Sequence, residues 1–177
     1  YDHYDRLPPG KIDFSATPYA DWLIRLFDYW FLTNSSIEVR EFNSIIRMLF
    51  GGNSLVESIG TGPVDLIVVE TNGDIEAVDS LKAVYEGATV LGANVFNNDF
   101  DSVAQHPAIQ SRQSGIDGLC ETCQSCSVVE ICGGGYLPNR YSKDRGFNNP
   151  SIYCNDLKKL IGHIHHKVSI QATKEKI

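Results

Sequence analysis

The chain opens on a polar, proline-containing stretch that runs to about Ser15. Thr17-Pro18 then reads as a helix N-cap with proline in the first turn. Tyr19, Trp22, Leu23, Leu26, Phe27 and Trp30 follow at helical spacing, which predicts an amphipathic helix with this stripe in the core. In SIEVREF, the alternation of Ile37, Val39 and Phe42 with polar neighbours predicts a short half-buried strand. NSIIRMLF predicts a brief helix, stopped by Gly51-Gly52. GGNSLVESIGTG is punctuated by glycine and reads as a linker, with a boundary near its end.

Beyond residue 60 the periodicity changes. VDLIVVETNGDIEAVD is a β-branched run that meets Asn72-Gly73 and returns, which predicts a β-hairpin. SLKAVYEG suits a short helical segment, and NNDFDSVAQHPAIQSRQ is helix-prone but interrupted by Pro107. A cysteine-rich loop fills the interval from Cys120 to about Pro150. A final helix is predicted to start near Cys154 and to bury Leu157, Leu160, Ile161, Ile164 and Val168. The pattern is that of a small α+β protein: an N-terminal helical part, a β-hairpin, and a cysteine-rich loop closed by a C-terminal helix. Residues 1–60 read as a helical bridging segment, 61–168 as the cysteine-bearing unit, and 169–177 as a tail.

Composition narrows the function. With 177 residues and 42% hydrophobic residues the chain can build a core without disulfide staples. A net charge of −7 argues against nucleic acid as a partner, because phosphate binding needs clustered Lys and Arg. No apolar run reaches membrane-spanning length and no signal peptide is visible, so a membrane partner is not expected. Five cysteines, an odd number, favour free thiolates in a reducing cytoplasm. The chain begins at Tyr1 on a polar stretch, as though continuing from a longer protein.

The cysteines stand as C-x2-C-x2-C-x5-C, namely Cys120, Cys123, Cys126 and Cys132, with Cys154 after a further 21 residues. Thiolates are soft, anionic donors that suit zinc and iron. A single loop can present several of them to one centre at little cost in chain entropy. A structural zinc site is one reading, although zinc ribbons favour two matched C-x2-C pairs and here the second is missing. An iron–sulfur cluster is the other, and it accounts for the three glycines after Cys132. Glycine permits close backbone approach, and backbone N–H groups donate to sulfur. Local spacing alone favours the four clustered cysteines, Cys120 included, over Cys154.

The run CQSCSVVEICGGGYLPNRYSKDRGFNNPSIYC resembles the C-terminal SPASM region of radical SAM enzymes that modify ribosomally made peptides, and is most similar to the cyclophane-forming type. Upstream, LIVVETNGDIEAVDSLK resembles the hairpin of the same enzymes. The likeness spans about Val64 to His166, and the segment before it resembles the piece joining the radical SAM barrel to the auxiliary region. The resemblance implies that Cys123, Cys126, Cys132 and Cys154 hold one auxiliary [4Fe–4S] cluster, replaced by zinc or lost on preparation in air. Cys120 remains a possible alternative ligand. Tyr136 and Val78 occupy positions where relatives carry cysteines of an inner cluster, so one cluster is expected rather than two.

The C-x3-C-x2-C loop that cleaves SAM is absent from these residues, so the resemblance places SAM in a barrel upstream of Tyr1. That barrel and a precursor peptide are the implied partners. The implied activity is support of electron transfer and substrate binding. Two rivals are a zinc-binding or scaffold module without redox chemistry and a relative of the sulfatase maturases.

Other candidates carry the bland reading. His163 and His166 lie three apart on the last helix, beside His165, but lack a third metal partner and read as surface residues. Arg140 and Tyr141 either meet a peptide or brace the loop, and Asn139 supplies no acid–base chemistry. Asp65, Glu70, Glu76 and Asp79 on the hairpin read as solvated carboxylates before peptide-gripping ones.

Overall fold

The structure is a computed structural model that describes residues 2–33, 36–64, 66–110 and 112–174. Helix α1 (Pro18–Leu32) and helix α2 (Arg40–Leu49) come first. A three-stranded antiparallel sheet follows: β1 (Val68–Val69), β2 (Asp74–Glu76) and β3 (Val90–Asn94), in that spatial order. Four short helices, α3 (Phe100–Ala104), α4 (Pro107–Gln110), α5 (Glu121–Gln124) and α6 (Val129–Cys132), lead to the long α7 (Cys154–Lys174). The α+β architecture read from the sequence is thus present, with α7 closing the cysteine-rich segment. Among the described residues no helix is long and apolar enough to cross a membrane.

The main core is helical. Phe27 of α1, Phe42 and Ile45 of α2, Ile59, and Leu160, Ile161 and Ile164 of α7 pack together with Cys132. Each such apolar side chain contributes about 1.5–3 kcal/mol on burial. The α7 stripe falls where its periodicity placed it. On α1 the stripe is narrower than expected: Phe27 is fully buried, Trp22 stays exposed, and Trp30 is half-buried and donates Nε1–H to the Ile37 carbonyl at 2.6 Å.

SIEVREF does not form a strand. Val39 is extended, but Arg40 already begins α2, which buries Phe42, Ser44 and Ile45. Phe42 and Ile45 are three apart, a spacing that a helix uses and that a five-residue alternation hides. At the other end, Gly51 N–H donates to Met48 O and Gly52 N–H to Arg47 O, a Schellman closure with Gly51 at φ +80°.

The hairpin forms around Asn72-Gly73, with Val69 opposite Ile75. The third strand, β3, joins β2 with a bulge between Ile75 and Glu76. It was not foreseen, because Gly92 interrupts its apolar run. Pro107 opens α4 rather than merely breaking a helix. Val78 and Leu81 pack with Leu137 in a second core beneath the sheet.

The lead-in before α1 is held by the C-terminal half. Lys11, 4% exposed, donates Nζ–H to Asp156 Oδ2 at 2.6 Å and to the Ala16 carbonyl at 2.7 Å. Asp156 Oδ1 accepts from the N–H groups of Tyr19 and Ala20, at 3.2 and 3.0 Å. The carboxylate that caps α1 therefore comes from α7. Thr17 stands at the N-cap as read, but its side chain caps nothing; Lys159 donates to its hydroxyl instead. Further along α7, His163 Nε2 and Lys167 Nζ lie 2.8 and 3.2 Å from Asp28 Oδ1.

Burial works to raise the Asp28 pKa, but bonds from His163 and Lys167 override it and hold the carboxyl below its ordinary value. A depressed carboxylate stabilises the fold above about pH 4 and loses that contribution as pH falls through its native value. We expect Asp28→Asn to be less stable than the parent at pH 7, with the gap narrowing below pH 4. Urea midpoints at the two pH values test this, and a gap that widens in acid would contradict it.

Candidate functional site

Four cysteines reach one hollow from separate elements. Cys123 lies on α5, Cys126 just after it, Cys132 at the end of α6, and Cys154 at the start of α7. Together with Thr122, Val129, Gly134 and Lys158 they line a narrow hollow of about 10 Å³. Cys120 does not line it. Its carbonyl accepts from Cys123 N–H and Gln124 N–H at the head of α5, and its thiol shares a hydrogen bond with Cys123 while packing with Leu119. All five cysteines are free of disulfides. Among the described residues no three Cys, His, Asp or Glu side chains are drawn together as the shell of a single ion.

The local fold explains this convergence. Backbone N–H to C=O bonds wind residues 120–126 and 126–132 into two tight turns, which bring Cys123, Cys126 and Cys132 within one short loop. The loop then reverses through Gly133, Gly134 and Gly135, at φ +59°, +77° and +71°. This left-handed run is open to glycine at little strain. A Cβ on Gly133 would sit 1.8 Å from the Gly60 carbonyl oxygen, so the chain also passes too close here for any side chain.

The electrostatics favour protons on these thiols. Burial pushes Cys123 up to about 12, helped by its bond with Cys120 and by neighbouring sulfurs. Burial and the nearby Cys154 raise Cys132 to about 11, while the N–H groups of Gly134 and Gly135 work the other way. Cys154 is raised by burial, opposed by the Lys158 ammonium one turn along α7. A thiolate donor set here is stabilised once a cation neutralises it.

The remaining candidates serve structure. Arg140 is 7% exposed and donates Nε–H to the Asn149 carbonyl and Nη2–H to the Gly118 carbonyl, bracing the loop. Burial lowers its pKa, an effect the cysteine sulfurs offset. Tyr141 packs between Tyr85 and Phe147 and against His3. Asn139 donates to the Asp2 carbonyl. His163 pairs with Asp28 and meets the Phe27 ring edge-on, whereas His165 and His166 are exposed. Glu70, Glu76 and Asp79 surround Lys82 at 2.8, 3.4 and 2.9 Å, and the bonds to Glu70 and Asp79 raise its pKa. Asp65 lies outside the described residues. Tyr136 is half-buried and Val78 buried. Sequence reasoning missed Arg112 and Glu57, which pair at 2.8 Å beside the glycine run, because neither sits in a motif.

No family model matches the chain. A curated protein, the uncharacterized protein sll1766 of Synechocystis sp. (strain ATCC 27184 / PCC 6803 / Kazusa), is 25% identical over 129 residues, 68% of this chain and 32% of that protein. Among solved structures, native anSMEcpe with bound AdoMet matches at TM-score 0.69 and 21% identity, over 94% of this chain and 46% of that one. The same enzyme with AdoMet and the Cp18Cys peptide matches at TM-score 0.71 and 19% identity, over 97% and 47%. At this identity the likeness is one of fold. The chain spans less than half the length of the solved structures it matches and about a third of the curated protein.

Proposed function

We propose that the chain is the auxiliary, SPASM-like part of a radical SAM enzyme that modifies a ribosomally made peptide, and that it holds one [4Fe–4S] cluster on Cys123, Cys126, Cys132 and Cys154. In this reading residues 1–60 bridge to a SAM-binding barrel and 61–168 form the cluster unit. The observation that carries it is the convergence of these four sulfurs on one hollow, with the amides of Gly134 and Gly135 facing Cys132. The fit lies in the donor set rather than in ready-made space. Four free thiols, amide donors and a nearby Lys158 suit an anionic iron–sulfur group. The fold shared with anSMEcpe, a radical SAM enzyme with a SPASM domain whose solved structures hold AdoMet and peptides, supports the same class. The cyclophane-forming type rests on the sequence pattern from Cys123 to Cys154.

When bound, such a cluster supplies a one-electron acceptor or relay. The chain's own part is to hold it. Cys154 places the fourth donor at the N-terminus of α7, where the helix dipole favours a thiolate. Gly134 and Gly135 N–H groups stabilise charge on the Cys132 sulfur. Val129 excludes water from one wall.

Anaerobic preparation followed by iron and sulfide analysis tests the reading. About four irons per chain are expected in the parent and after Cys120→Ser, with a loss of most iron after Cys123→Ser or Cys154→Ser. A colourless protein that takes up one zinc under the same anaerobic conditions would instead establish the structural alternative. Equal iron loss from Cys120→Ser would overturn the ligand set.

A further inference from the structure

A second cavity, of about 50 Å³, lies against the glycine run, with Glu57, Thr61, Arg112, Leu119, Gly133 and Arg140 in its wall. It shares Glu57, Gly60, Thr61, Gly62 and Val64 with a wider groove of about 970 Å³ that runs along residues 48–64. Two arginines therefore face a space far smaller than the groove that feeds it.

Arg112 is held but not satisfied. Its side chain is 8% exposed, and Nη2–H donates to Glu57 Oε1 at 2.8 Å. Its Nε–H is buried with no hydrogen-bond partner, the one such side-chain nitrogen or oxygen among the described residues. A buried, unpaired donor on a charged group is costly enough that a partner is expected. The charge is also unbalanced. Glu57 Oε1 is shared with the Ser80 hydroxyl at 2.8 Å. Arg140, close enough for the Arg112 charge to lower its pKa, bonds backbone carbonyls, and no carboxylate pairs with it among the described residues.

We propose that this cavity is a carboxylate pocket, in which an acidic side chain of a bound peptide enters from the groove and accepts hydrogen bonds from the Arg112 guanidinium. The size suits a carboxylate head, and guanidinium is the side chain whose donors best match one. The proposal rests on the peptide-binding reading above and adds what the peptide must carry. Its rival is a pocket holding only water.

The test is an NMR titration of the chain carrying nitrogen-15 arginine, kept anaerobic, with the Nε–H signal of Arg112 assigned by its loss in Arg112→Lys. The probes are acetyl-Gly-Glu-Gly-amide, acetyl-Gly-Gln-Gly-amide and sodium acetate. The Glu peptide should shift the Arg112 signal saturably, the Gln peptide should bind about tenfold more weakly, and acetate should act only at higher concentration than the Glu peptide. Glu57→Gln should tighten the Glu peptide, which keeps the test open if Arg112→Lys does not fold. An Arg112 signal unmoved by the Glu peptide would mean a water-filled pocket only and overturn the proposal, as would equal binding of the Glu and Gln peptides. Acetate as effective as the Glu peptide would overturn the peptide part. The readout needs neither iron nor turnover, so failure here is separable from failure of the cluster assignment.

Discussion

Replacing Asp156 by Ala should destabilise the fold by about 3–5 kcal/mol, because it strands a buried ammonium. Lys11 is 4% exposed, and its remaining bond is to the Ala16 carbonyl. The same carboxylate accepts from Tyr19 and Ala20, so its loss also leaves the first turn of α1 uncapped, a further cost of about 1 kcal/mol. Removing both charges is a different matter. Lys11→Met with Asp156→Leu should recover most of the loss, since a buried pair replaced by apolar groups of similar volume is often near neutral. Denaturant unfolding of the two single variants and the double variant gives the coupling energy directly. A loss below about 1 kcal/mol in Asp156→Ala would show that Lys11 finds water or another partner.

Gly133→Ala should cost about 3 kcal/mol or more, from two sources that can be separated. The residue sits at φ +59°, where an alanine pays about 1–2 kcal/mol. Its Cβ would also fall 1.8 Å from a backbone oxygen, that of Gly60, which cannot swing aside as a side chain would. Gly146 is the internal control: its φ is +56° and an added Cβ meets nothing within 4 Å. Gly146→Ala should therefore lose only the conformational part. Equal losses at the two positions, measured by chemical denaturation, would show that the loop at Gly60 moves away freely. Because Gly133 follows Cys132, its variant should also retain less iron after anaerobic reconstitution.

Much of the helical framework was legible in the chain. The α7 stripe, the Asn72-Gly73 turn and the end of α2 at Gly51-Gly52 follow from local periodicity and backbone preference, which neighbours in sequence decide. The hollow's four cysteines were also readable, since three share one loop and the resemblance supplied Cys154. What escaped was set by distant partners. Nothing near Thr17 announces that Asp156 will cap α1. Strand β3 is legible only once β2 offers it an edge, and α2 begins early because Phe42 and Ile45 find Phe27 and α7. Arg112 is invisible for the same reason: an isolated arginine reads as surface until tertiary packing buries it.

The link between Lys11 and Asp156 also bears on the order in which the molecule assembles. The cysteines of α5 and α6 meet by closing loops of a few residues, which chains do within fractions of a microsecond. Lys11 must cross 145 positions to reach Asp156, two residues beyond Cys154. Contacts of such long sequence separation are slow to form. Three sulfurs are thus gathered early, while the turn bearing the fourth is fixed only when the start of the chain returns to it. Premature metal capture by Cys123, Cys126 and Cys132 is the kinetic hazard this arrangement creates, and supplying iron after folding is the way around it.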